Sequence, residues 1–314
     1  GSAISMTASW HRSTPLPAAS CVRSAMPEPA DPAAGDGQRL VFAGGCPRSG
    51  LTLLRRLVEP HSRIHCGPDT GLPPAIAMQW QAFASQLGDL HARDFDLQAE
   101  DMRQAMAELL TGLFEVPLAA DPRRVLIEKT SLNIAAFEQL GRLLPQAKFI
   151  HVVRDGRDVA ASLLERDWRD ANGQAYPHVS RPDAALKYWF DLTGIGLRAE
   201  QALAGRIHRV RYEDLVKRPK ATLTALTAFL GLGYEPAMLH FAGRPVELKG
   251  LERDSLPLIN SALTQRRIGA GAALEALVSP AIRGRLDALG YAAAPAPGRR
   301  RKVRGYPVRS ITQM

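Results

Sequence analysis

Leu40-Val41-Phe42-Ala43-Gly44-Gly45-Cys46-Pro47-Arg48-Ser49-Gly50-Leu51-Thr52-Leu53-Leu54-Arg55-Arg56-Leu57-Val58 reads as a short buried strand, a glycine-bounded loop and a helix. The spacing G-x-x-x-x-G-x-[ST] from Gly45 to Thr52 is that of a P-loop. A loop in this setting turns backbone N–H groups and a helix N-terminus toward an anion. Pro47, Arg48, Ser49, Gly50, Leu51 and Thr52 are therefore the expected phosphate contacts. An NTPase carries Lys where this chain has Leu51. The missing charge has to come from Arg48, inside the loop. That argues against γ-phosphate chemistry and for another phosphorylated donor.

Outward from the loop, strand-like and helix-like segments alternate from Arg39 to about Tyr291. Strands are expected at Leu40–Ala43, Arg63–Cys66, Val125–Glu128, Lys148–Val153 and Ile207–Arg211. Helices are expected at Leu51–Val58, Met102–Val116, Asn133–Leu144, Val159–Trp168, Ala184–Leu203 and Ala221–Leu230. The strands are rich in Val, Ile and Leu without clean alternation, which suits a sheet covered on both faces. The pattern predicts a single α/β domain over residues 39–292, with a doubly wound, mainly parallel sheet flanked by helices. Ligands of such a sheet bind at the carboxyl ends of its strands. Between Gly71 and Ala99 the pattern is harder to read. Pro73-Pro74 opens a mixed helix with Trp80 and Phe83, either a flap over the site or packing.

Residues 1–38 are rich in Pro, Ala, Ser and Gly and are expected to be disordered, with Gly1–Ser5 resembling a cloning scar. Residues 293–314 form a basic tail. Arg299, Arg300, Arg301, Lys302, Arg304 and Arg309 stand there without an acidic residue and account for most of the net charge of +9. The body is thus only mildly basic, and nucleic acid is not an expected partner. Neither a run of about 18 apolar residues nor the apolar core of a secretory leader is present. Cys21, Cys46 and Cys66 make neither a disulfide framework nor a zinc spacing, and a reducing cytoplasm fits them. Cys46 is read as a packing residue rather than a reactive thiol. His61 and His65 straddle a turn and a strand, so no metal site is expected from them.

A second stretch, Phe149-Ile150-His151-Val152-Val153-Arg154-Asp155-Gly156-Arg157-Asp158-Val159-Ala160-Ala161-Ser162, follows about 100 residues later. Arg154 ends a buried strand and Ser162 lies on the next helix. A guanidinium fork and a hydroxyl so placed can clamp a second phosphate. Alternatively, Arg154, Asp155, Arg157 and Asp158 form a surface salt-bridge cluster of little energetic weight.

The ordered pair of motifs resembles the sulfotransferases that use 3′-phosphoadenosine 5′-phosphosulfate (PAPS). In that family a P-R-S-G-T-T loop holds the 5′-phosphosulfate, and a later Arg and Ser hold the 3′-phosphate. Pro47-Arg48-Ser49-Gly50-Leu51-Thr52 matches with Leu51 in place of Thr, and Arg154 and Ser162 keep the family's spacing of eight. The resemblance runs over about residues 39–268 and is nearest to the tyrosylprotein-sulfotransferase-like enzymes and their bacterial relatives. Val58-Glu59-Pro60-His61-Ser62-Arg63-Ile64-His65-Cys66-Gly67-Pro68-Asp69-Thr70 is similar to their L-x-x-H-P-x-[VI]-x-C-G-E-E-T segment. Asp69 falls on the second glutamate, the family's proposed base, and Gly71 on an Arg of the eukaryotic enzymes. Lys129 in Glu128-Lys129-Thr130 falls on the catalytic Lys. Tyr212 in Arg211-Tyr212-Glu213-Asp214-Leu215 resembles a nucleotide contact. Ser255 and Arg267 resemble residues of the adenine and 3′-phosphate loop.

The resemblance implies a sulfotransferase fold and transfer of a sulfuryl group from PAPS to a hydroxyl, leaving 3′-phosphoadenosine 5′-phosphate (PAP). Arg48 and Lys129 would neutralise the departing phosphate, and Asp69 would accept the hydroxyl proton. It implies no metal. From the residues alone, Asp69 also reads as a turn former, Lys129 as a solvated strand end and Tyr212 as core packing. The acceptor stays open between a sugar, a small metabolite and a peptide tyrosine, and the oligomeric state stays open, a homodimer included. Two rivals remain. One is a small-molecule kinase, disfavoured by Leu51 and by the lack of a Mg²⁺-holding Asp after an apolar strand. The other is a nucleotide-binding protein without catalysis.

Overall fold

The computed structural model describes residues 37–115, 125–241, 263–291 and 293. Five strands form one sheet: β1 (Leu40–Gly44), β2 (Ile64–His65), β3 (Val125–Lys129), β4 (Lys148–Val153) and β5 (Ile207–Arg211), in the order β2-β3-β1-β4-β5. Every pairing is parallel. The helices are α1 (Leu51–Val58), α2 (Leu72–Ala82), α3 (Gly88–Phe95), α4 (Ala99–Leu113), α5 (Asn133–Leu143), α6 (Gly156–Leu163), α7 (Pro177–Ser180), α8 (Pro182–Ala202), α9 (Tyr212–Lys217), α10 (Pro219–Leu230) and α11 (Pro280–Ala288).

Parallel strands cannot be joined by tight turns, so each connection crosses over a face and buries it. Side chains alternate along β1 accordingly. Leu40 and Phe42 join Leu126 and Phe149 on one face, under Ile134, Phe137 and Leu140 of α5 and Trp189 of α8. Val41 and Ala43 join Ile127, Ile150, Val152 and Val210 on the other, under Leu54 and Leu57 of α1 and Leu223 and Leu226 of α10. With both faces apolar, the central strand β1 needs no polar alternation, whereas the edge strand β5 is part-exposed with Arg209 at the surface.

β1 and β4 are neighbours, yet α1 packs on one face and α6 on the other, where Val159, Ala160 and Leu163 sit in the core. This is the switch point at which the two loops part and leave a crevice at the carboxyl ends. The loop after β1 and the segment after β4 are the two stretches that the sequence singles out.

The expected elements are found with shifted ends. Strand Lys148–Val153 and helix Leu51–Val58 keep their bounds, whereas the helix expected at Val159–Trp168 runs Gly156–Leu163. The Asp155 carboxylate accepts from the Arg157 amide and starts that helix three residues early. The helix expected at Met102–Val116 starts at Ala99 because Asp101 accepts the Gln98 amide. The difficult stretch after Gly71 is helical through Phe95, with a π-helical turn at Phe83–Leu87, and α2 packs on α5 and α4.

Gly45 opens the loop after β1. A Cβ there would lie 2.3 Å from the Val152 carbonyl oxygen of β4. Gly45→Ala should therefore push two adjacent strands apart and cost about 1–3 kcal/mol. The denaturant midpoint should fall with little change in slope; an unchanged midpoint would contradict the close approach.

Candidate active site

Arg48 stands in the loop with φ +74°, a left-handed conformation that a residue with a Cβ seldom adopts. Such a backbone costs about 1–3 kcal/mol and persists where surrounding contacts enforce it. Here the Arg48 Nε donates to Ser162 Oγ on α6 at 3.1 Å, and the Arg48 carbonyl accepts from Arg154 Nη1 at 3.1 Å. Gly50 caps α1 with φ +108°, and its missing Cβ leaves room for the Tyr212 ring, whose Cδ2 would otherwise lie at 2.5 Å. The first described bond of α1 is Leu54 N–H to the Gly50 carbonyl, so the amides of its first turn are those an anion can use.

Leu51 resolves the loop's odd residue. Its side chain is 4% exposed and belongs to the core beneath α1, with Val41 and Ala43. Only its backbone can meet a ligand. Ser49 is also buried, whereas Pro47, Arg48 and Thr52 remain part-exposed.

Arg154 sits at the end of β4 with its guanidinium over the Tyr212 ring, 4.3 Å from the centroid. Its Nη2 donates to the Arg267 carbonyl at 2.7 Å. Its Nε is buried without a hydrogen-bond partner. The Arg267 side chain turns away and binds Glu165 at 2.7 Å, so Arg267 faces Arg154 with its backbone. Ser255 lies outside the described residues.

The R-D-G-R-D run is no surface cluster. Arg154, Arg157 and Asp158 are all buried. Asp158 accepts the amides of Gly269 and Gly271 at 2.8 and 2.7 Å, and Arg157 reaches Glu275 at 2.5 Å while also holding Asp155. The run thus straps the segment after Thr264 over the crevice. Glu213 serves the same corner, accepting the Asp155 amide at 3.1 Å and the Tyr291 hydroxyl at 3.0 Å.

The charges explain what the crevice wants. Burial brings the Arg48 guanidinium down to about 10, and the positive charges of Arg166 and Arg154 press in the same direction. Glu165 opposes them and Arg267 adds to them. Around Arg48 three further guanidinium groups face the Glu165 carboxylate, and Arg154 has Asp158 at 3.9 Å, an arrangement that an anion would relieve. Arg166 is not among the residues expected from the sequence. No local pattern marks it, because α6 ends at Leu163 and helical spacing from Ser162 does not reach it.

Asp69 and Lys129 form a separate ion pair at the neighbouring strand end. Lys129 is 1% exposed and lies opposite Ala43 in the β1–β3 register, just before the loop. The Asp69 side chain is 19% exposed and faces solvent in part. The Gly45 amide donates to the Ser131 carbonyl at 3.1 Å, which locks the phosphate loop to the segment after Lys129. Burial pushes the Cys66 thiol up to about 12 against the charges of Lys129 and Arg55, and pushes Cys46 higher still. Both are packing thiols rather than nucleophiles. His61 binds the Gly233 carbonyl through Nε2 at 2.8 Å and accepts the Arg63 amide through Nδ1 at 3.0 Å, a turn anchor rather than a ligand.

Known proteins share this arrangement at the level of sequence and fold. The model of the Sulfotransferase family matches residues 41–236. Protein-tyrosine sulfotransferase 2 of Gallus gallus is 28% identical over 221 residues, covering 69% of this chain and 58% of that protein. The putative protein-tyrosine sulfotransferase of Caenorhabditis briggsae is 28% identical over 236 residues, covering 73% of this chain and 79% of that protein. The chain thus spans little more than half the length of the Gallus gallus relative. Among solved structures, the sulfotransferase domain from the curacin biosynthetic pathway aligns with a TM-score of 0.54 at 20% identity, over 80% of this chain and 97% of that one. The family match runs from the strand before the phosphate loop, through the ion pair and the strapped Arg154, to the turn after α10, and the chain belongs to the sulfotransferase family.

Proposed function

We propose that the chain is a sulfotransferase that takes PAPS as donor and a hydroxyl as acceptor. The observation that carries this is the crowding of Arg48, Arg154, Arg166 and Arg267 beside a phosphate loop whose lysine position is occupied by a core leucine. The donor set fits a doubly phosphorylated nucleotide: loop amides and Arg48 on one side, Arg154 and Ser162 on the other. The orphaned, buried Arg154 Nε is a donor in search of an acceptor. When bound, PAPS supplies an activated sulfuryl group.

The chain's own residues supply the rest. The α1 amides and Arg48 hold the 5′ side and offset charge on the departing phosphate. Arg154 and Ser162 hold the 3′-phosphate, and Tyr212, braced between Gly50 and Arg154, offers a ring edge to the base. Lys129 would neutralise phosphate oxygens of the bound donor, and Asp69 would take the acceptor proton. The two relatives described above are named protein-tyrosine sulfotransferases, which makes a phenolic hydroxyl the first acceptor to try. Sugar and small-metabolite hydroxyls complete the panel.

The deciding experiment is incubation with PAPS and the acceptor panel, read by mass spectrometry for the gain of one sulfuryl group. Turnover with Mg²⁺ and ATP but none with PAPS would establish the kinase instead; tight PAP binding without transfer would establish a binding protein. Lys129→Ala should lower kcat about 10²–10³-fold, as loss of a charge-stabilising donor does. Asp69→Asn should lower it about 10²–10⁴-fold, as loss of a general base does. Full rates in both variants would remove these roles. Arg154→Ala should weaken PAP binding about 10–100-fold in calorimetry, the loss of a charge-assisted hydrogen bond; unaltered affinity would move the 3′-phosphate elsewhere.

A further inference from the structure

Asp69 and Thr70 leave β2 side by side and meet two adjacent residues at the end of β3. Asp69 pairs with Lys129, and Thr70 with Glu128. Thr70 donates to Glu128 Oε1 through its hydroxyl at 2.8 Å and its amide at 3.3 Å. The same oxygen accepts from the Thr130 hydroxyl at 2.7 Å, and Oε2 accepts from Asn133 Nδ2 at 2.5 Å. Thr130 Oγ1 accepts the Gly71 amide at 3.1 Å, and Asn133 Nδ2 also lies 3.1 Å from the Ala43 carbonyl. A single carboxylate, 3% exposed, thereby ties residues 70–71 to the end of β3 and, through Asn133, to the end of β1.

A buried carboxylate is costly unless donors surround it. The adjoining β3 position holds Ile127, fully buried, and makes no such demand. The donors that Glu128 gathers belong mostly to the chain around Asp69 and to α5, not to the sheet ladder. We propose that Glu128 is a positioning residue for sulfuryl transfer: it fixes Thr70 and Gly71 so that the Asp69 carboxylate stands against Lys129 at the mouth of the crevice. This rests on the sulfotransferase reading of Asp69 and Lys129. Without that hold the loop can pivot at Gly71, which has φ +71° and nothing within 4 Å of where a Cβ would stand. An aspartate has a short reach, so a small displacement takes it from the acceptor oxygen. The Arg48–Ser162–Arg154 contacts lie on the β4 side of β1, away from Glu128, so donor affinity should be spared.

Three variants test this: Glu128→Ala, Glu128→Gln and Thr70→Val. Gln keeps an acceptor for Thr70 and Thr130, and its Nε2 can donate to Asn133 Oδ1, which is buried without a partner, once the Asn133 amide turns over. The readouts are kcat, PAP affinity by calorimetry, and hydrogen exchange of the Thr70 and Gly71 amides. Glu128→Ala should lower kcat about 100-fold, the cost of a misplaced catalytic group, with PAP affinity within about threefold and both amides exchanging faster. Glu128→Gln should return kcat to within about 10-fold of the parent, and Thr70→Val should fall between. Parent-like exchange at Thr70 and Gly71 in Glu128→Ala would overturn the proposal. So would kcat and PAP affinity falling in step with no recovery in Glu128→Gln, since that marks a packing role alone. If Glu128→Ala does not fold, Thr70→Val carries the same decision. Exchange needs no turnover, so a parent protein that transfers nothing refutes the sulfotransferase reading while the hold of Glu128 on the loop is still decided.

Discussion

Like charges packed together at one sheet corner set the terms for the rest of the molecule. Arg48, Arg154, Arg166 and Arg267 share a partly buried space with Glu165 and Asp158 as opposing charges. Such crowding is unfavourable in a folded protein unless each guanidinium is otherwise engaged. Arg154 is held by two backbone carbonyls and the Tyr212 face, Arg48 by Ser162, and Arg267 by Glu165. The strained Arg48 backbone, the glycine beneath Tyr212 and the strap fastened to Asp158 all serve this corner. The sheet provides what makes it tolerable: two neighbouring strands whose loops part to opposite faces, so that the charges border an open crevice rather than a sealed core.

The Asp69–Lys129 ion pair answers to a different constraint. Asp69 and Lys129 come from segments joined by no turn, and their meeting depends on the short pairing of Ile64–His65 with β3. A two-residue edge strand is a weak hinge on which to hang an ion pair. Glu128 compensates by gripping the chain just past Asp69. The anion corner and the ion pair are then joined through β1, by the Ala43–Lys129 register and the bond from Gly45 to Ser131.

What the sequence disclosed depended on how local the cause was. The strand Lys148–Val153 and the helix Leu51–Val58 announce themselves through runs of apolar residues, and each appears where expected. The start of α6 was missed because Asp155 reads equally as a charged surface residue, and only its bond to the Arg157 amide makes it a cap. The reading of Arg154 and Asp158 as a surface cluster is overturned by partners more than 100 residues away, at Arg267, Gly269 and Gly271. Arg166 and Glu128 left no local trace, because a charge among charges is ordinary on a surface and becomes informative only when burial and distant donors are known. Loop-closing contacts of this span carry no periodicity to read.

Leu51 places a boundary around the chain's possible histories. Its side chain is part of the hydrophobic interior under α1, so the position that in an NTPase supplies a phosphate-binding ammonium here supplies packing. Exchange of Leu51 for Lys would not convert one activity into the other. It would first bury an ammonium among Val41, Ala43 and Leu54, a far costlier step than any gain in triphosphate binding could select for. The chemistry available at this loop position is thus tied to the packing of the core.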